Sequence, residues 1–395
     1  MIEGLLQADV QSYVRLHEHD DIASLALKKE CVGNVDIRLV LDQIAGLQRA
    51  RTKLPAWYNQ EGILYPPKIS LEQCSSEKAA IHKQGLISGE TLIDLTGGAG
   101  VDTYYLSKKF RATQYIERDA WLGSLAKHNH GLLQANITHH IDDAIAFITT
   151  LTDKVDSIYL DPARRDQNKQ KVFRLEDCEP NVVTLIDLLL SKARKVLIKT
   201  SPLLDIHQAL TDLKHKARIE VVSVNNDCKE VLYLIDPELK EHRIYTTNYL
   251  SDGTKQEFSF LREEEQVLDC PLGNVANYLY EPNAAIMKAG AFKSVAKKFD
   301  LRKLHPNTHL YTSTKWMSTF PGRKFEIKEV LSANKKGLRS ALPDGRANVS
   351  VRNFPYTPEQ IKKKLKLKDG GNTYLFAVTD RKDAKKIILT KKVEH

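Results

Sequence analysis

The chain is poor in cysteine and contains no long apolar run. Its five cysteines lie far apart in 395 residues, without a Cys-x-x-Cys pair, so neither a disulfide framework nor a zinc ribbon is indicated. No segment approaches the roughly 20 uninterrupted apolar residues of a membrane helix. The start, MIEGLLQADVQ, lacks the basic and apolar regions of a secretory signal. We therefore expect a cytoplasmic protein with no membrane partner.

The histidines also show no metal-binding pattern. His128 and His130 form one close pair and His139 and His140 another, but no Cys or Glu accompanies them at ligand spacing. Such pairs are typical of surface or helix-cap positions. We expect no metal site.

The formal net charge of +9 is divided unevenly along the chain. Residues 281–395 contain 26 basic and 10 acidic residues, a net charge of +16, whereas residues 1–280 have a net charge of −7. This segregation suggests a module that meets a polyanion, joined to a mildly acidic body with a different task. The alternative is that a lysine-rich surface only keeps the protein in solution.

The hydrophobic pattern changes at about residue 85. Before it, apolar positions recur at steps of three and four residues, which predicts helices, and Ser75 or Ser76 is expected to cap the last of them. From Thr91 to about Ile235, β-rich runs alternate with helical segments, which predicts a parallel sheet covered on both faces. The last two runs, RIEVVSV and EVLYLI, are separated by only NNDCK. They are expected to be antiparallel neighbours, because a parallel crossover needs a longer connection.

The remainder of the chain has an α+β pattern. The β-like runs RIYTTNYL and EFSFL come first, and one helix is expected over NAAIMKAGAFKSVAKKF. Further strands are expected at HLYTST, KFEIKEVL, ANVSVRNF, NTYLFAVTD and KKIILTKKV, with helices from Ser332 and after Thr357-Pro358. Two small ferredoxin-like units or one composite domain would fit this order.

The most informative segment is LIDLTGGAGVD, residues 92–102. A buried strand ends at Asp94, and a turn with three glycines follows, Gly97, Gly98 and Gly100. Glycine permits positive φ angles and close approach of the backbone to a ligand. Such turns also close ordinary strand–helix connections, so the segment by itself is a weak signal.

Carboxylates follow the next three strands as well. Glu117 ends QYIE, 23 residues after Asp94, where an acidic side chain binds ribose hydroxyls. Asp142 or Asp143 ends the third strand, and Asp161 ends the fourth. Since ligands bind at the carboxyl ends of parallel strands, this succession predicts a nucleotide-like ligand. The alternative, that acids merely cap the following helices, suits Asp143 better than Asp94 or Glu117.

The ordered motifs DLTGGAGVD, YIERD, HIDDA and YLDPARR resemble those of class I S-adenosylmethionine-dependent methyltransferases over about residues 86–240. DLTGGAGVD and YLDP are most similar to bacterial ribosomal RNA guanine methyltransferases. The whole chain resembles a bacterial group with a carboxy-terminal THUMP-like domain, through ANVSVRNFPYTPEQIKKKLKLKDGGNTYLFAV. The resemblance implies an α/β, Rossmann-like methyltransferase fold with a final antiparallel strand, and four regions. These are a helical region 1–85, a methyltransferase domain 86–280, a ferredoxin-like unit 281–325 and a THUMP-like basic domain 326–395.

The same resemblance implies S-adenosylmethionine as cofactor and assigns its binding residues. Asp94 would lie near the amino group of the methionine part, Glu117 would bind the ribose, Arg118 would flank the adenine and Asp143 would accept from its amino group. The residues expected around the methionine part or directly after it are Thr96, Gly97, Gly98, Gly100 and Asp102. SSEKAAIHK is either part of the pocket wall or an amphipathic helix that packs on the sheet.

The implied catalytic residues are Asp161, Pro162 and Arg164. In amino-methylating relatives, the carboxylate or amide at the first position accepts from the exocyclic amine, and an aromatic residue stacks on the flipped base. Here Ala163-Arg164 replace the last two motif residues. Arg164 and Arg165 either stack or hold a phosphate in place of the aromatic ring, or are solvated. Phe173 is the sole aromatic residue of the loop that follows.

A covalent pyrimidine mechanism is disfavoured. It needs a cysteine nucleophile, and Lys199-Thr200-Ser201-Pro202 stands where related uridine enzymes place one. Cys178, in the loop, remains an alternative.

The basic end of the chain then predicts an RNA partner, ribosomal or transfer RNA, and no obligate protein partner is evident. Aromatic residues at Tyr356, Tyr374 and Phe376 are interspersed with its cations, which include Lys335, Lys336, Arg339, Arg346, Lys362, Lys363, Lys364, Lys366, Lys368, Lys385, Lys386, Lys391 and Lys392. The leading hypothesis is a methyltransferase that acts on a base amine of RNA. Alternatives are a non-catalytic RNA-binding factor, a DNA amino-methyltransferase and, least favoured, a nicotinamide oxidoreductase.

Overall fold

The structure is a computed structural model that describes residues 2–28, 32–164, 174–332, 341–342 and 344–393. The helix expected from Ser332 onward lies outside these ranges, as does the side chain of Arg164. So do other residues considered in the sequence: Cys31, Arg165, Phe173, Lys335, Lys336 and Arg339. Within the described ranges, no helix has the length and apolar character needed to cross a membrane.

The chain forms two compact units. The first comprises Met1–Ile219 and Lys229–Lys240, and the second comprises Glu220–Cys228 and Glu241–His395.

Among the described residues the first unit begins with seven helices, and the apolar spacing predicts a helical region here. They are α1 (Ile2–Leu5), α2 (Ala8–Leu16), α3 (Ile22–Lys28), α4 (Ile37–Lys53), α5 (Pro55–Tyr58), α6 (Lys68–Gln73) and α7 (Glu77–Gln84). Side-chain caps define two of the starts. Asp36 accepts a hydrogen bond from Arg38 N at the start of α4, and Ser76 accepts one from Ala79 N at the start of α7.

Alternating strands and helices follow. The strands are β1 (Gly89–Asp94), β2 (Phe110–Glu117), β3 (Ile137–Ile141), β4 (Val155–Leu160), β5 (Ala163–Arg164), β6 (Cys178–Glu179), β7 (Ala193–Thr200), β8 (Ala217–Val224) and β9 (Asp227–Ile235). The helices are α8 (Val101–Ser107), α9 (Ala120–Leu132), α10 (Ala144–Thr150), α11 (Val182–Lys192) and α12 (Ile206–Leu213), with a short 3-10 turn at Leu175–Asp177.

Seven of these strands have the order β3-β2-β1-β4-β7-β9-β8. Strands β1 to β4 and β7 are parallel, whereas β9 is antiparallel to β7, with Leu197 opposite Leu234. The reversal is made by Asn225 and Asn226, which both adopt positive φ angles in a two-residue turn. The predicted α/β fold with a reversed final strand is thus confirmed.

The helical region shares one hydrophobic core with the sheet-covering helices. Trp57 of α5 is buried and lies edge-on to Tyr104 of α8, with ring centroids 6.1 Å apart. Leu125 of α9 and Ile44 and Leu47 of α4 belong to the same buried cluster. The helices before β1 therefore pack on the face of the sheet instead of standing apart from it.

The second unit contains the remaining strands and helices. These are β10 (Arg243–Tyr249), β11 (Lys255–Leu261), α13 (Arg262–Val267), β12 (Tyr278–Pro282), α14 (Ala284–Ala289), α15 (Phe292–Lys298), β13 (Arg302–His305), β14 (Thr308–Ser313), β15 (Gly322–Ser332), β16 (Asn348–Arg352), α16 (Pro358–Leu365), β17 (Thr373–Thr379) and β18 (Lys385–Lys392). Strands β10 and β11 form an antiparallel pair, with Thr246 opposite Phe258.

The other seven strands form a single sheet, β13-β14-β12-β15-β18-β17-β16. Both arrangements considered, two small ferredoxin-like units and one composite domain, stay predictions. The single helix expected over residues 283–299 is wrong, because Gly290 adopts a left-handed conformation (φ 75°) that ends α14 and separates it from α15.

Two aromatic positions of the basic region also differ from expectation. Phe376 is fully buried and packs edge-on against Phe325, so it belongs to the core of the sheet. Tyr374 is partly buried against the same core. Tyr356 is exposed, as a surface role requires.

Candidate functional site

A cleft of about 280 Å³ lies at the carboxyl ends of β1, β2, β3 and β4. It is lined by Asp161 and by all nine residues that the sequence proposes for the cofactor: Asp94, Thr96, Gly97, Gly98, Gly100, Asp102, Glu117, Arg118 and Asp143. The segment that precedes α7 contributes a further wall through Gln73, Cys74 and Ser75. Residues separated by more than 80 positions in the sequence are therefore brought to one site.

The glycine turn is shaped by two rings that pack behind it. A Cβ atom at Gly97 would lie 2.1 Å from Cε2 of Tyr115, and one at Gly100 would lie 2.6 Å from Nε2 of His130. The Tyr115 hydroxyl donates to Gly98 O at 2.6 Å, and His130 Nε2 donates to Gly100 O at 2.8 Å. The glycines are thus required by the rings behind the turn as well as by its positive φ angles at Gly98 and Gly100.

His130 does not occupy the surface or helix-cap position that we expected for the histidine pairs. It is 1% exposed, and its Nδ1 lies 2.8 Å from Nε2 of His139. Because Nε2 donates to Gly100 O, Nδ1 accepts and His139 donates. Burial lowers the pKa of both rings to about 4, so both stay neutral at physiological pH and act as rigid supports of the turn.

Asp94 lies at the bottom of the cleft with both oxygens hydrogen-bonded. Oδ2 accepts from the Thr103 hydroxyl at 2.6 Å, and Oδ1 accepts from Thr96 N at 3.0 Å. Burial raises the pKa of Asp94 to about 7, although the bonds from Thr103 and Thr96 oppose this. Its charge state therefore changes near neutral pH.

The strand-end acids on the other side of the cleft are held by backbone amides. Glu117 accepts from Gly98 N and Asp119 N, each at 2.8 Å, which couples β2 to the glycine turn. Asp143 accepts from Ile145 N and Ala146 N and so caps α10. The capping alternative is therefore realised at Asp143, which nonetheless also lines the cleft. Arg118 pairs with Glu179 at 2.9 Å at the rim.

Asp161 is held at its backbone and at its side chain. Its N–H donates to the Thr96 hydroxyl at 2.6 Å, and its Oδ2 accepts from Nζ of Lys199. Pro162 is buried beside it but does not line the cleft. Ala163 and Arg164 form β5, which pairs with β6 through Glu179 and Cys178.

A network of buried ions lies beneath Asp161, and the sequence reasoning missed most of it. Lys83 Nζ donates to both oxygens of Glu230 at 2.6 and 2.7 Å, and it lies 3.2 Å from Oδ1 of Asp102. Oδ2 of Asp102 accepts from the hydroxyls of Ser75 at 2.8 Å and Tyr159 at 2.7 Å. It lies 3.7 Å from Lys199 Nζ. A charged residue inside an apolar strand run, as in VLIKT and EVLYLI, is the signal that could have revealed Lys199 and Glu230.

Asp102 and Lys199 keep their charges within this network. Burial raises the pKa of Asp102, but the ammonium groups of Lys83 and Lys199 outweigh this and hold it below its usual range. Burial lowers the pKa of Lys199, but the carboxylates of Asp161, Asp102 and Glu230 outweigh this and hold it above its ordinary value. Paired in this way, the ions tolerate removal from water.

Cys74, and not the Cys178 considered in the sequence, lines the cleft. Cys178 is buried in β6, outside the lining, whereas Cys74 is part of the wall. The Cys74 thiol donates to Leu71 O at 3.2 Å, and burial raises its pKa. A thiol held in its protonated form is a poor nucleophile, so the covalent route stays disfavoured.

Two families match the end of the chain. One is described as a ferredoxin-like domain and covers residues 278–321, and the other is described as THUMP domain-like and covers residues 322–392. The boundary between the matches falls between β14 and β15, inside the single seven-stranded sheet.

Proteins similar over most of the chain have been assigned to the methyltransferases. The crystal structure of a candidate methyltransferase from Porphyromonas gingivalis W83 superposes with a TM-score of 0.85, at 33% identity, over 98% of each chain. Uncharacterised S-adenosylmethionine-dependent methyltransferases of Mycobacterium tuberculosis strains H37Rv and CDC 1551 are each 23% identical over 307 residues. Those matches cover 76% of this chain and 80% of the relatives.

Proposed function

The chain belongs to a family of S-adenosylmethionine-dependent methyltransferases with ferredoxin-like and THUMP-like domains at the carboxyl end, and from this premise we propose that it methylates an exocyclic base amine of RNA. The cleft that joins the glycine turn to Asp161 is the observation that carries the proposal, because a cofactor bound in this cleft would lie beside a carboxyl group able to accept a hydrogen bond. Ribosomal or transfer RNA is the proposed substrate.

The residues of the cleft suit the cofactor. S-adenosylmethionine supplies the methyl group when bound. In the proposed assignment, Asp94 receives its amino group, Glu117 its ribose hydroxyls and Asp143 its adenine amino group, with Arg118 at the adenine edge. Acids at three successive strand ends, lining one cleft, agree with this order.

Asp161 is proposed to receive the substrate amine. Within the described part of the chain, its Oδ2 contacts Lys199 and its Oδ1 accepts no hydrogen bond, so one oxygen stays open. The amine lone pair forms the new N–C bond while the C–S bond breaks and its electron pair stays on sulfur, and the nitrogen then loses one proton to solvent. Burial lowers the pKa of Lys199, but Asp161 and the other carboxylates beside it outweigh this and raise that pKa, so the ammonium group stays protonated next to Asp161.

The second unit supplies the proposed RNA surface. On α16, Ile361 is buried while Lys363 and Lys364 are exposed, and Lys366 and Lys368 beyond the helix are exposed too. The helix begins in a capping box made by Thr357 and Gln360, and Ile361 packs it into a buried cluster with Leu375 and Leu389 of the sheet. Exposed lysines on a rigid element suit contacts to phosphates, which position a nucleic acid without reading its bases.

Transfer of tritiated methyl groups tests the proposal. The purified protein and labelled S-adenosylmethionine are incubated with total RNA from cells that lack the gene, and in parallel with duplex DNA from the same cells. Label in RNA, located by mass spectrometry in a base-methylated nucleoside, is the expected result. Label in DNA alone would favour a DNA amino-methyltransferase, and RNA binding without label would favour a non-catalytic binding factor.

Two sets of variants separate the proposed tasks. Glu117→Gln is expected to weaken S-adenosylhomocysteine binding in isothermal titration. Glu90→Gln is its matched control, because Glu90 is exposed and lies near the start of β1, at the end of the strand away from the cleft. Lys363→Glu combined with Lys364→Glu is expected to weaken RNA binding and to spare cofactor binding. Equal losses in both assays would contradict the division of tasks. The domain boundaries at residues 85, 280 and 325 and the cytoplasmic location stay predictions.

A further inference from the structure

Lys199 is the penultimate residue of the buried strand β7 and is not explained by the packing of the sheet. It is 7% exposed, although it stands in a run of apolar residues. Its ammonium group contacts Oδ2 of Asp161 and lies 3.7 Å from Oδ2 of Asp102. Burial of a lysine without an anionic partner is costly, so these contacts decide where the side chain lies.

The charge of Lys199 is matched to Asp161 more than to Asp102. Asp102 already has the ammonium group of Lys83 at 3.2 Å and the hydroxyls of Ser75 and Tyr159. Asp161, by contrast, has Lys199 as its side-chain partner among the described residues. Its carboxylate is about one third exposed toward the cleft, so without Lys199 its rotamer would be set by solvent alone.

We infer that Lys199 is a positioning residue that fixes the Asp161 carboxylate, with Oδ2 bound to the ammonium group and Oδ1 presented to the substrate amine. The Thr96 hydroxyl fixes the backbone of the same residue, so Asp161 is held from two sides. This inference rests on the proposed function, because it assigns Asp161 to the substrate. It also explains how the chain aligns the acceptor although Ala163 and Arg164 replace the usual end of the motif.

The test compares Lys199→Met with Lys195→Met. Lys195 lies on the same strand but is nearly half exposed and pairs with Asp236, away from the cleft lining, so it is a matched control. For Lys199→Met we expect kcat for RNA methylation to fall by about 100-fold, as for a reacting group displaced by an ångström. The KM for S-adenosylmethionine and the affinity for S-adenosylhomocysteine are expected to stay within about threefold of wild type. Lys195→Met is expected to behave as wild type.

Two further measurements distinguish positioning from a merely structural role. Lys199→Arg, which keeps the cation, is expected to recover part of kcat, and ethylammonium added to Lys199→Ala is expected to raise its rate. A loss of S-adenosylhomocysteine affinity as large as the loss of kcat, or an unchanged kcat in Lys199→Met, would overturn the inference.

If wild-type protein methylates no RNA, the proposed function is refuted, but the positioning role of Lys199 can still be tested by a crystal structure of Lys199→Met with S-adenosylhomocysteine. A displaced Asp161 carboxylate in the variant would then support the positioning role, and a carboxylate that coincides with the wild-type position would overturn it.

Discussion

Replacement of Glu230 by Gln is expected to destabilise the first unit strongly. In the native protein both oxygens of Glu230 bind Lys83, and the two side chains are 2% and 0% exposed. Glu230→Gln preserves the shape but removes the negative charge, which leaves a buried ammonium group undercompensated. Breaking one side of such a pair costs about 3–5 kcal/mol. Because Lys83 retains Asp102 at 3.2 Å and Ser75 at 3.0 Å, we expect a loss near the lower end, about 3 kcal/mol.

Urea unfolding followed by circular dichroism measures this loss. Glu90→Gln is the control, because Glu90 is largely exposed and its pair with Arg111 at 3.7 Å is worth less than about 1 kcal/mol. A cost for Glu230→Gln no larger than that of the control would refute the reasoning.

Three other perturbations test the turn and its supports. Gly97→Ala is expected to lower stability by about 1–3 kcal/mol and to abolish S-adenosylhomocysteine binding, because its Cβ would overlap the ring of Tyr115. His130 and His139 have a folded-state pKa of about 4, below the unfolded value, so their contribution to the urea midpoint is complete above about pH 6.5 and is lost as pH falls toward 4. The raised pKa of Asp94, about 7, predicts that S-adenosylhomocysteine affinity increases between pH 6 and 8, and that Asp94→Asn removes this increase in isothermal titration.

Each of these has a contrasting measurement. Gly131→Ala is the control for the turn, because a Cβ there meets nothing within 4 Å and alanine favours the helix. In His130→Gln the loss of urea midpoint below pH 6.5 is expected to be smaller than in wild type. An affinity for S-adenosylhomocysteine that does not vary with pH would contradict the role assigned to Asp94.

The cleft residues could be located from the sequence because parallel strands end at one edge of a sheet. Asp94, Glu117, Asp143 and Asp161 are each recognisable as an acid at the end of a β-rich run, and the alternation of strands and helices predicts that these four strands are parallel. Their contacts could not be located in the same way. Asp143 caps α10, whereas Glu117 binds the glycine turn. This difference depends on the local backbone geometry where each strand ends.

The buried ion network lay beyond sequence reasoning for a different reason. Lys83 and Glu230 are 147 positions apart, so neither identifies the other. Each is one of several polar residues on its element, and only the reversed strand β9 brings Glu230 to α7. The prediction for Phe376 was wrong for a different reason. Lysines flank its strand in the sequence and suggest a surface position, whereas the seven-stranded sheet buries the Phe376 side chain.

The floor of the cleft contains more carboxylates than ammonium groups. The acids are Asp94, Asp102, Asp161 and Glu230, and Lys83 and Lys199 lie among them. With the pKa of Asp94 at about 7, the negative surplus grows as pH rises through neutrality. A cationic ligand would offset this surplus without disturbing the buried pairs, whereas an anionic one would add to it. The net charge of −7 over residues 1–280 thus has a local counterpart that suits a sulfonium cofactor, just as the charge of +16 over residues 281–395 suits a polyanion.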